Sequence, residues 1–282
     1  MQYIMIDASF VNNQLPKRSA EMHKGDCGKL FMICGSLGMT GAPYFSAMGA
    51  LRTGAGLVYL GVPAAIYEIE ANKLNEPLVF PLFDHCGMLA KEAVSQIEER
   101  IAGKDAVLIG PGLGISEGTR AITEFVLKNY TGPVVLDADG INGISQNIDL
   151  LRERTGQTIL TPHAGEFTRL GGDLSAGKIE GAVKLAQELD SIVLLKGHHT
   201  VITDGKTVYV NPTGNPGMAV GGSGDILAGI ITALLGFGIA PLEAAACGAW
   251  LHGSAGDICA DEIGEYGMLP TDMLHVLPRL LK

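Results

Sequence analysis

One acid directly follows a run of glycines. Residues 215–229 read Asn-Pro-Gly-Met-Ala-Val-Gly-Gly-Ser-Gly-Asp-Ile-Leu-Ala-Gly, so Gly221, Gly222, Ser223 and Gly224 lead into Asp225. The next residues, 226–242, carry no charge, which predicts a helix buried almost all round. The first amides of such a helix lack intrahelical partners and sit at the positive end of its dipole. Glycines let an anion approach them closely. A carboxylate in the same turn could take a proton from a hydroxyl while the amides hold a phosphoryl group. A plainer reading makes Ser223 the N-cap and Asp225 a first-turn acid, worth about 0.5–1 kcal/mol. The loop alone supports either.

Further clusters of glycine and polar residues recur along the chain. They are Gly35-Ser36-Leu37-Gly38 with Ala42; Gly110-Pro111-Gly112-Leu113-Gly114; Asp137-Ala138-Asp139; His163-Ala164-Gly165-Glu166; and Lys196-Gly197-His198-His199-Thr200. Each follows an apolar run of strand length: 29–34, 105–110, 133–137, 157–160 and 191–195. Further strands are expected at 57–61 and 78–80, and an Asp204-Gly205 turn marks a hairpin over 201–210. Helical patterns fall near 44–52, 65–73, 89–100, 117–128 and 179–188, then after Asp225, at 241–258 and at 271–280. Residues 1–28 read as an irregular lead-in. Strands alternating with helices imply an α/β fold with a mostly parallel sheet covered on both faces. No linker or repeat interrupts residues 1–282, so a single domain is expected. In such sheets ligands bind beyond the carboxyl ends of the strands, which places every cluster on one edge and favours one shared site.

Composition narrows the function. Hydrophobic residues make up 47% and charged residues 18%, a core-rich balance that predicts compact folding. The net charge of −10 opposes a sequence-independent grip on nucleic acid or on an anionic membrane. It leaves room for a small anion, because oriented amides act at short range while net charge is screened over about 8–10 Å. Cys27, Cys34, Cys86, Cys247 and Cys259 are odd in number and lack C-x-x-C spacing, the pattern of buried, reduced thiols in a cytoplasmic protein. Residues 1–10 lack the basic start of a signal peptide, and the uncharged run 226–242 falls short of the ~20 residues of a membrane span. His23, His85, His252 and His275 show no ligand spacing and read as surface or satisfied helix histidines; Trp250 and the methionines read as core. Neither G-x-x-x-x-G-K-[ST] nor G-x-G-x-x-G occurs, which disfavours a P-loop ATPase and an ordinary Rossmann dehydrogenase.

Gly221-Gly222-Ser223-Gly224-Asp225 resembles the G-x-G-D signature of ribokinase-like small-molecule kinases. With the clusters above and Asn215-Pro216-Gly217-Met218, the chain from about residue 15 to 280 is similar to the ADP/ATP-dependent NAD(P)H-hydrate dehydratases of that superfamily. The resemblance implies a ribokinase-like fold and nucleotide-dependent dehydration of the S epimer of hydrated NADH or NADPH, with Mg²⁺ bridging nucleotide oxygens. It implies Asp225 as base for the C6 hydroxyl and the amides of Gly222, Ser223 and Gly224 as the cradle of the moving phosphoryl. Ala42, Gly114 and His163, with Asp225, would contact the hydrated dinucleotide. Lys196, Gly197, His198, His199 and Thr200, with Gly224, would contact ADP or ATP. Glu166 corresponds to an acid that orders Mg²⁺ through water, and reads equally as a helix-start acid. A homo-oligomer, a tetramer in relatives, is expected, as is a separate NAD(P)H-hydrate epimerase as functional partner. A helix N-terminus is expected to keep Asp225 ionised at neutral pH. The rival readings are a ribokinase-like kinase of a vitamin-precursor alcohol, which would release a stable phosphorylated product, and a nucleotide-binding sensor with a dead site, which the presence of Asp225 opposes.

Overall fold

Residues 2–281 are described by a computed structural model. Its strands are β1 (Ile4–Met5), β2 (Lys29–Ile33), β3 (Leu57–Pro63), β4 (Leu78–Leu82), β5 (Asp84–His85), β6 (Met88–Leu89), β7 (Ala106–Ile109), β8 (Val134–Leu136), β9 (Thr158–Leu160), β10 (Ile192–Leu195), β11 (Thr200–Thr203) and β12 (Val208–Asn211). The helices on one face of the main sheet are α1 (Ala8–Gln14), α2 (Gly41–Thr53) and α3 (Ala64–Lys73). The opposite face carries α4 (Ala93–Ile101), α5 (Glu117–Asn129), α6 (Asp139–Ile144), α7 (Asp149–Glu153), α8 (Ala164–Arg169) and α9 (Lys178–Leu189). The chain then returns to the first face with α10 (Ser223–Gly236), α11 (Pro241–Ile263) and α12 (Pro270–Val276).

The main sheet is ten-stranded, in the order β1-β12-β11-β10-β9-β8-β7-β2-β3-β4. Its neighbours are parallel except at β11–β12, the hairpin that the Asp-Gly turn predicts, and at β10–β11, where the chain reverses through Gly197–His199. β7, β8, β9 and β10 are buried along their whole length, which explains their continuous apolar runs. Alternate residues serve opposite layers. Leu30, Met32 and Cys34 pack with α2 and α10, while Phe31 and Ile33 pack with α4 and α5. Strand order reverses between β7 and β2, so the loops that follow these strands flank the switch point.

Several expectations need correction. The lead-in contains β1, paired in parallel with β12, and α1, capped by Asp7. Two-residue pairing and a single buried helical residue, Val11, leave too little periodicity to detect. The helix expected over 89–100 begins at Ala93, because Met88–Leu89 folds back on Asp84–His85 as a small hairpin. Cys86 lies in that turn at φ 52° and is exposed, unlike the other four cysteines. Met5, Met39 and Met88 are likewise exposed and not core.

Candidate active site

The glycine loop and the helix it feeds occupy the position that the sequence predicts. Gly222, at φ 99°, is the residue before α10, and its left-handed backbone turns the chain into the helix. A Cβ there would meet the Phe45 ring at 2.5 Å, so both conformation and space select glycine. Ser223 is not the N-cap. It is the first helical residue; its amide donates to the Val220 carbonyl at 3.3 Å and its hydroxyl lies 3.2 Å from His252 Nε2. Burial holds His252 down at about 4, so this imidazole of α11 is neutral at physiological pH. The loop is pinned from behind by α11: Asp257 accepts from the Gly214 amide at 3.0 Å and from Asn215 Nδ2 at 3.0 Å. Asn215 in turn accepts from the Gly217 amide, also at 3.0 Å.

Asp225 stands in the first turn of α10, and opposite it β8, β9 and β10 deliver a cluster of charges from their carboxyl ends. Lys196 Nζ binds Asp137 Oδ1 at 2.8 Å and lies 3.9 Å from Glu166 Oε2. Thr161 Oγ1 donates to the same Asp137 oxygen at 2.7 Å. A Cβ on Gly224 would stand 3.7 Å from Lys196 Nζ, which brings the ammonium against the start of α10. Burial alone would lower the Lys196 pKa, but Asp137, Glu166 and Asp225 together raise it above the ordinary lysine value, so it stays charged. For Asp225, burial is the largest influence; it and Asp137 push the carboxyl up to about 7, against the opposing pull of Lys196. The helix N-terminus therefore does not hold Asp225 fully ionised at neutrality. A carboxyl balanced near 7 suits a general base, which works best when its pKa lies close to the operating pH.

The switch point brings two other predicted groups together. Gly35 donates its amide to Pro111 O at 2.8 Å and Ser36 Oγ donates to Gly112 O at 2.8 Å, which ties the loop after β2 to the loop after β7. Ala42 is buried in the first turn of α2, and a Cβ on Gly112 would meet the Ala42 Cβ at 2.7 Å. Lys73, on α3, anchors the start of α2 by donating to Thr40 O at 2.9 Å. Gly114 turns at φ 73° and gives its amide to Asp139 Oδ2 at 2.8 Å. Between the two aspartates, Ala138 adopts φ 46° and ψ −113°, a sparsely populated backbone that costs about 1–3 kcal/mol. That turn lets Asp137 face Lys196 while Asp139 faces Gly114.

His163 is exposed and caps α8: its Nδ1 accepts from the Gly165 and Glu166 amides at 2.9 and 3.3 Å. Glu166 completes a capping box by accepting from the His163 amide at 2.9 Å, and its other oxygen lies 3.3 Å from His163 Nε2. Gly197, His198 and His199 form an exposed turn before Thr200, whose hydroxyl donates to Gly197 O at 2.9 Å. The two imidazoles stack at 4.0 Å and Lys178 Nζ binds both of their carbonyls at 2.9 Å. Among the described residues no hydrogen bond joins either imidazole to the Lys196 cluster. Asp137, Thr161, His252 and Asp257 are the structural partners that the sequence reading leaves without a role. Only Asp137 carries a signal there, as an acid at a strand end.

The donor set tests the fit of a divalent ion. Among the described residues no group of three His, Cys, Asp or Glu side chains converges on a metal position, and both Glu166 oxygens are engaged by His163. The residues therefore do not form a protein-built metal cage. They suit an ion carried on nucleotide phosphates and reached through water.

A profile of the NAD(P)H-hydrate dehydratase family matches residues 30–279. The chain is 42% identical over 285 residues to a bifunctional NAD(P)H-hydrate repair enzyme of Moorella thermoacetica, an alignment that covers 99% of this chain and 54% of that protein. It thus spans about half the length of such bifunctional relatives. It is 36% identical over 287 residues to an ADP-dependent (S)-NAD(P)H-hydrate dehydratase of Cenarchaeum symbiosum, covering 99% of this chain and 96% of that one. Its structure superposes on an ADP/ATP-dependent NAD(P)H-hydrate dehydratase of Bacillus subtilis, co-crystallised with ATP and Mg²⁺, at a TM-score of 0.85 and 30% identity, covering 99% and 98% of the two chains. With the expected ribokinase-like sheet, the glycine-opened α10 and the matched family profile all in one chain, this protein belongs to the NAD(P)H-hydrate dehydratase family.

Proposed function

We propose that this chain catalyses the nucleotide-dependent dehydration of the S epimer of hydrated NADH or NADPH, restoring the reduced nicotinamide. The observation that carries this reading is Asp225 in the glycine-opened first turn of α10, where burial, Asp137 and Lys196 together leave its carboxyl at about 7. Asp225 takes the proton of the C6 hydroxyl as that oxygen attacks the terminal phosphoryl of ADP or ATP. The amides of Gly222 and Gly224 and the Lys196 ammonium are assigned to the charge that develops on the phosphoryl, and the Ser223 amide joins them by giving up its 3.3 Å bond to Val220 O. The ring nitrogen lone pair then expels phosphate, and loss of a C5 proton restores the double bond. The products are the reduced dinucleotide, phosphate and AMP or ADP. Hydroxide leaves poorly, and phosphorylation converts it into a good leaving group.

Ala42, Gly114 and His163 are assigned to the hydrated dinucleotide by resemblance; in support, Ala42 packs against Gly112, and Ser36, which donates to Gly112 O, lies near Gly114. Lys196, Gly197, His198, His199 and Thr200 are assigned to the adenine nucleotide by resemblance, and the exposed turn Gly197–His199 is open to such a ligand. When bound, Mg²⁺ neutralises phosphate charge, and Glu166 would reach it only through water. The chain works as one domain in the cytoplasm, as a homo-oligomer with a tetramer favoured by resemblance. An NAD(P)H-hydrate epimerase is the expected functional partner, and the bifunctional repair enzymes that this chain resembles fit a linked second activity. The test is to incubate purified protein with hydrated NADH, Mg²⁺ and ADP or ATP. Return of reduced-nicotinamide absorbance is expected with at least one nucleotide. A stable phosphorylated product in place of phosphate would mark a kinase.

A further inference from the structure

Two arginines share a hollow beside the switch point. Arg120 of α5 and Arg169 at the end of α8 line it with Ile115, Asn142, Ser145 and Gln146, enclosing about 380 Å³. Among the described residues neither guanidinium pairs with a carboxylate, although the chain carries a net charge of −10. Acidic residues are plentiful, yet none has been placed against these two cations. A larger hollow of about 500 Å³ at the amino ends of β7, β8 and β9 has Asp105 as its one charged lining residue and offers no such chemistry.

The arginine hollow is wired to the site. Arg169 Nε donates to Asn142 Oδ1 at 3.0 Å, and Asn142 Nδ2 donates to Asp139 Oδ1 at 3.1 Å. Asp139 Oδ2 in turn accepts from the Gly114 amide at 2.8 Å. Arg169 Nη1 lies 3.8 Å from where a Cβ on Gly165 would stand, so the guanidinium runs back along α8 toward His163. Among the described residues the guanidinium makes that one hydrogen bond, through Nε, which leaves four of its five N–H groups for a ligand. The planar fork of arginine matches phosphate oxygens in pairs.

We propose that this hollow is an anion subsite that takes a phosphate group of the dinucleotide, with Arg120 and Arg169 as its binding and specificity residues. This rests on the assignment of Gly114 and His163 to the dinucleotide made above. The phosphate is either in the backbone diphosphate, common to both dinucleotides, or the 2′-phosphate found on the NADPH form alone.

The experiment titrates NADH and NADPH by nicotinamide fluorescence, without adenine nucleotide, against wild type, Arg120→Gln, Arg169→Gln and the double variant. Arg279→Gln, whose guanidinium pairs with Glu262 elsewhere, is the control. A loss of about tenfold or more for NADPH alone in the double variant places the 2′-phosphate in the hollow. An equal loss for both dinucleotides places the diphosphate there. Unchanged affinities, an equal loss in the control, or no dinucleotide binding by wild type would overturn the subsite. A double variant with wild-type kcat/KM on both hydrates keeps the dehydratase reading and removes the subsite, whereas a binding loss in a protein without turnover does the reverse.

Discussion

Asp225 shows how far a single residue can be read. Its place after a glycine run is legible, because glycine, acid and uncharged helix are adjacent in sequence. Its protonation is not, because Asp137 and Lys196 arrive from β8 and β10 and burial is a property of the fold. With the carboxyl at about 7, turnover is expected to rise with pH through that value as the base form fills. The stability effect has the opposite sign. A carboxyl raised in the fold contributes stability that is complete below its ordinary value of 3.8 and is lost as pH rises to about 7. Asp225→Asn should therefore match wild type in denaturant unfolding near pH 4 and exceed it at pH 8, on the order of a few kcal/mol. Its turnover should fall by about 10²–10⁴. A variant no more stable than wild type at pH 8 would mean that the carboxylate is better solvated than the cluster implies.

At the scale of elements, the site depends on how closely α10 lies on α2. A Cβ on Gly229 would stand 2.1 Å from Ser46 O, and one on Gly49 would stand 2.7 Å from Ile226 O, so glycines on both helices set the approach. Gly229 follows Asp225 by about one turn, and any parting of the helices moves the base. Gly229→Ala should lower stability by about 1–3 kcal/mol in chemical denaturation through overpacking. Helix propensity alone predicts a gain of about 1 kcal/mol for the same change, so the sign decides whether packing governs this contact. The strand and helix pattern around these glycines was legible from apolar runs and turn residues. The short elements α6, α7 and α8 were not, since a few residues held by caps such as His163 and Glu166 carry no full helical period. The N-cap alternative for Ser223 fails because its hydroxyl instead faces buried His252 on the next helix, a partner that the local sequence does not encode.

At the scale of the molecule, the sequence places its polar clusters on one sheet edge, and the structure supplies their order. The loops after β2 and β7 meet because strand order reverses between them, and nothing in either segment alone encodes that adjacency. On the proposed assignments, the dinucleotide residues Ala42 and Gly114 follow β2 and β7 at the reversal, and the nucleotide residues Lys196–Thr200 follow β10. The homo-oligomer rests on resemblance, and exposed Tyr3, Ile4, Met5, Tyr266 and Leu269 are apolar residues that an assembly could cover. Light scattering should return a multiple of the 29.5 kDa chain mass, four being favoured, and a monomer at micromolar concentration would contradict it. No helix of the described residues is long and apolar enough to cross a membrane. In the proposed mechanism one centre, with Asp225 as its base, couples phosphoryl transfer to dehydration. The most direct measurement follows phosphate release and reduced-nicotinamide absorbance together when hydrated NADH is mixed with Mg²⁺ and ADP or ATP. Wild type should release one phosphate for each nicotinamide restored, and Asp225→Asn should do neither at a comparable rate. Failure with both nucleotides, recovery without a nucleotide, or recovery by Asp225→Asn at the wild-type rate would contradict the account.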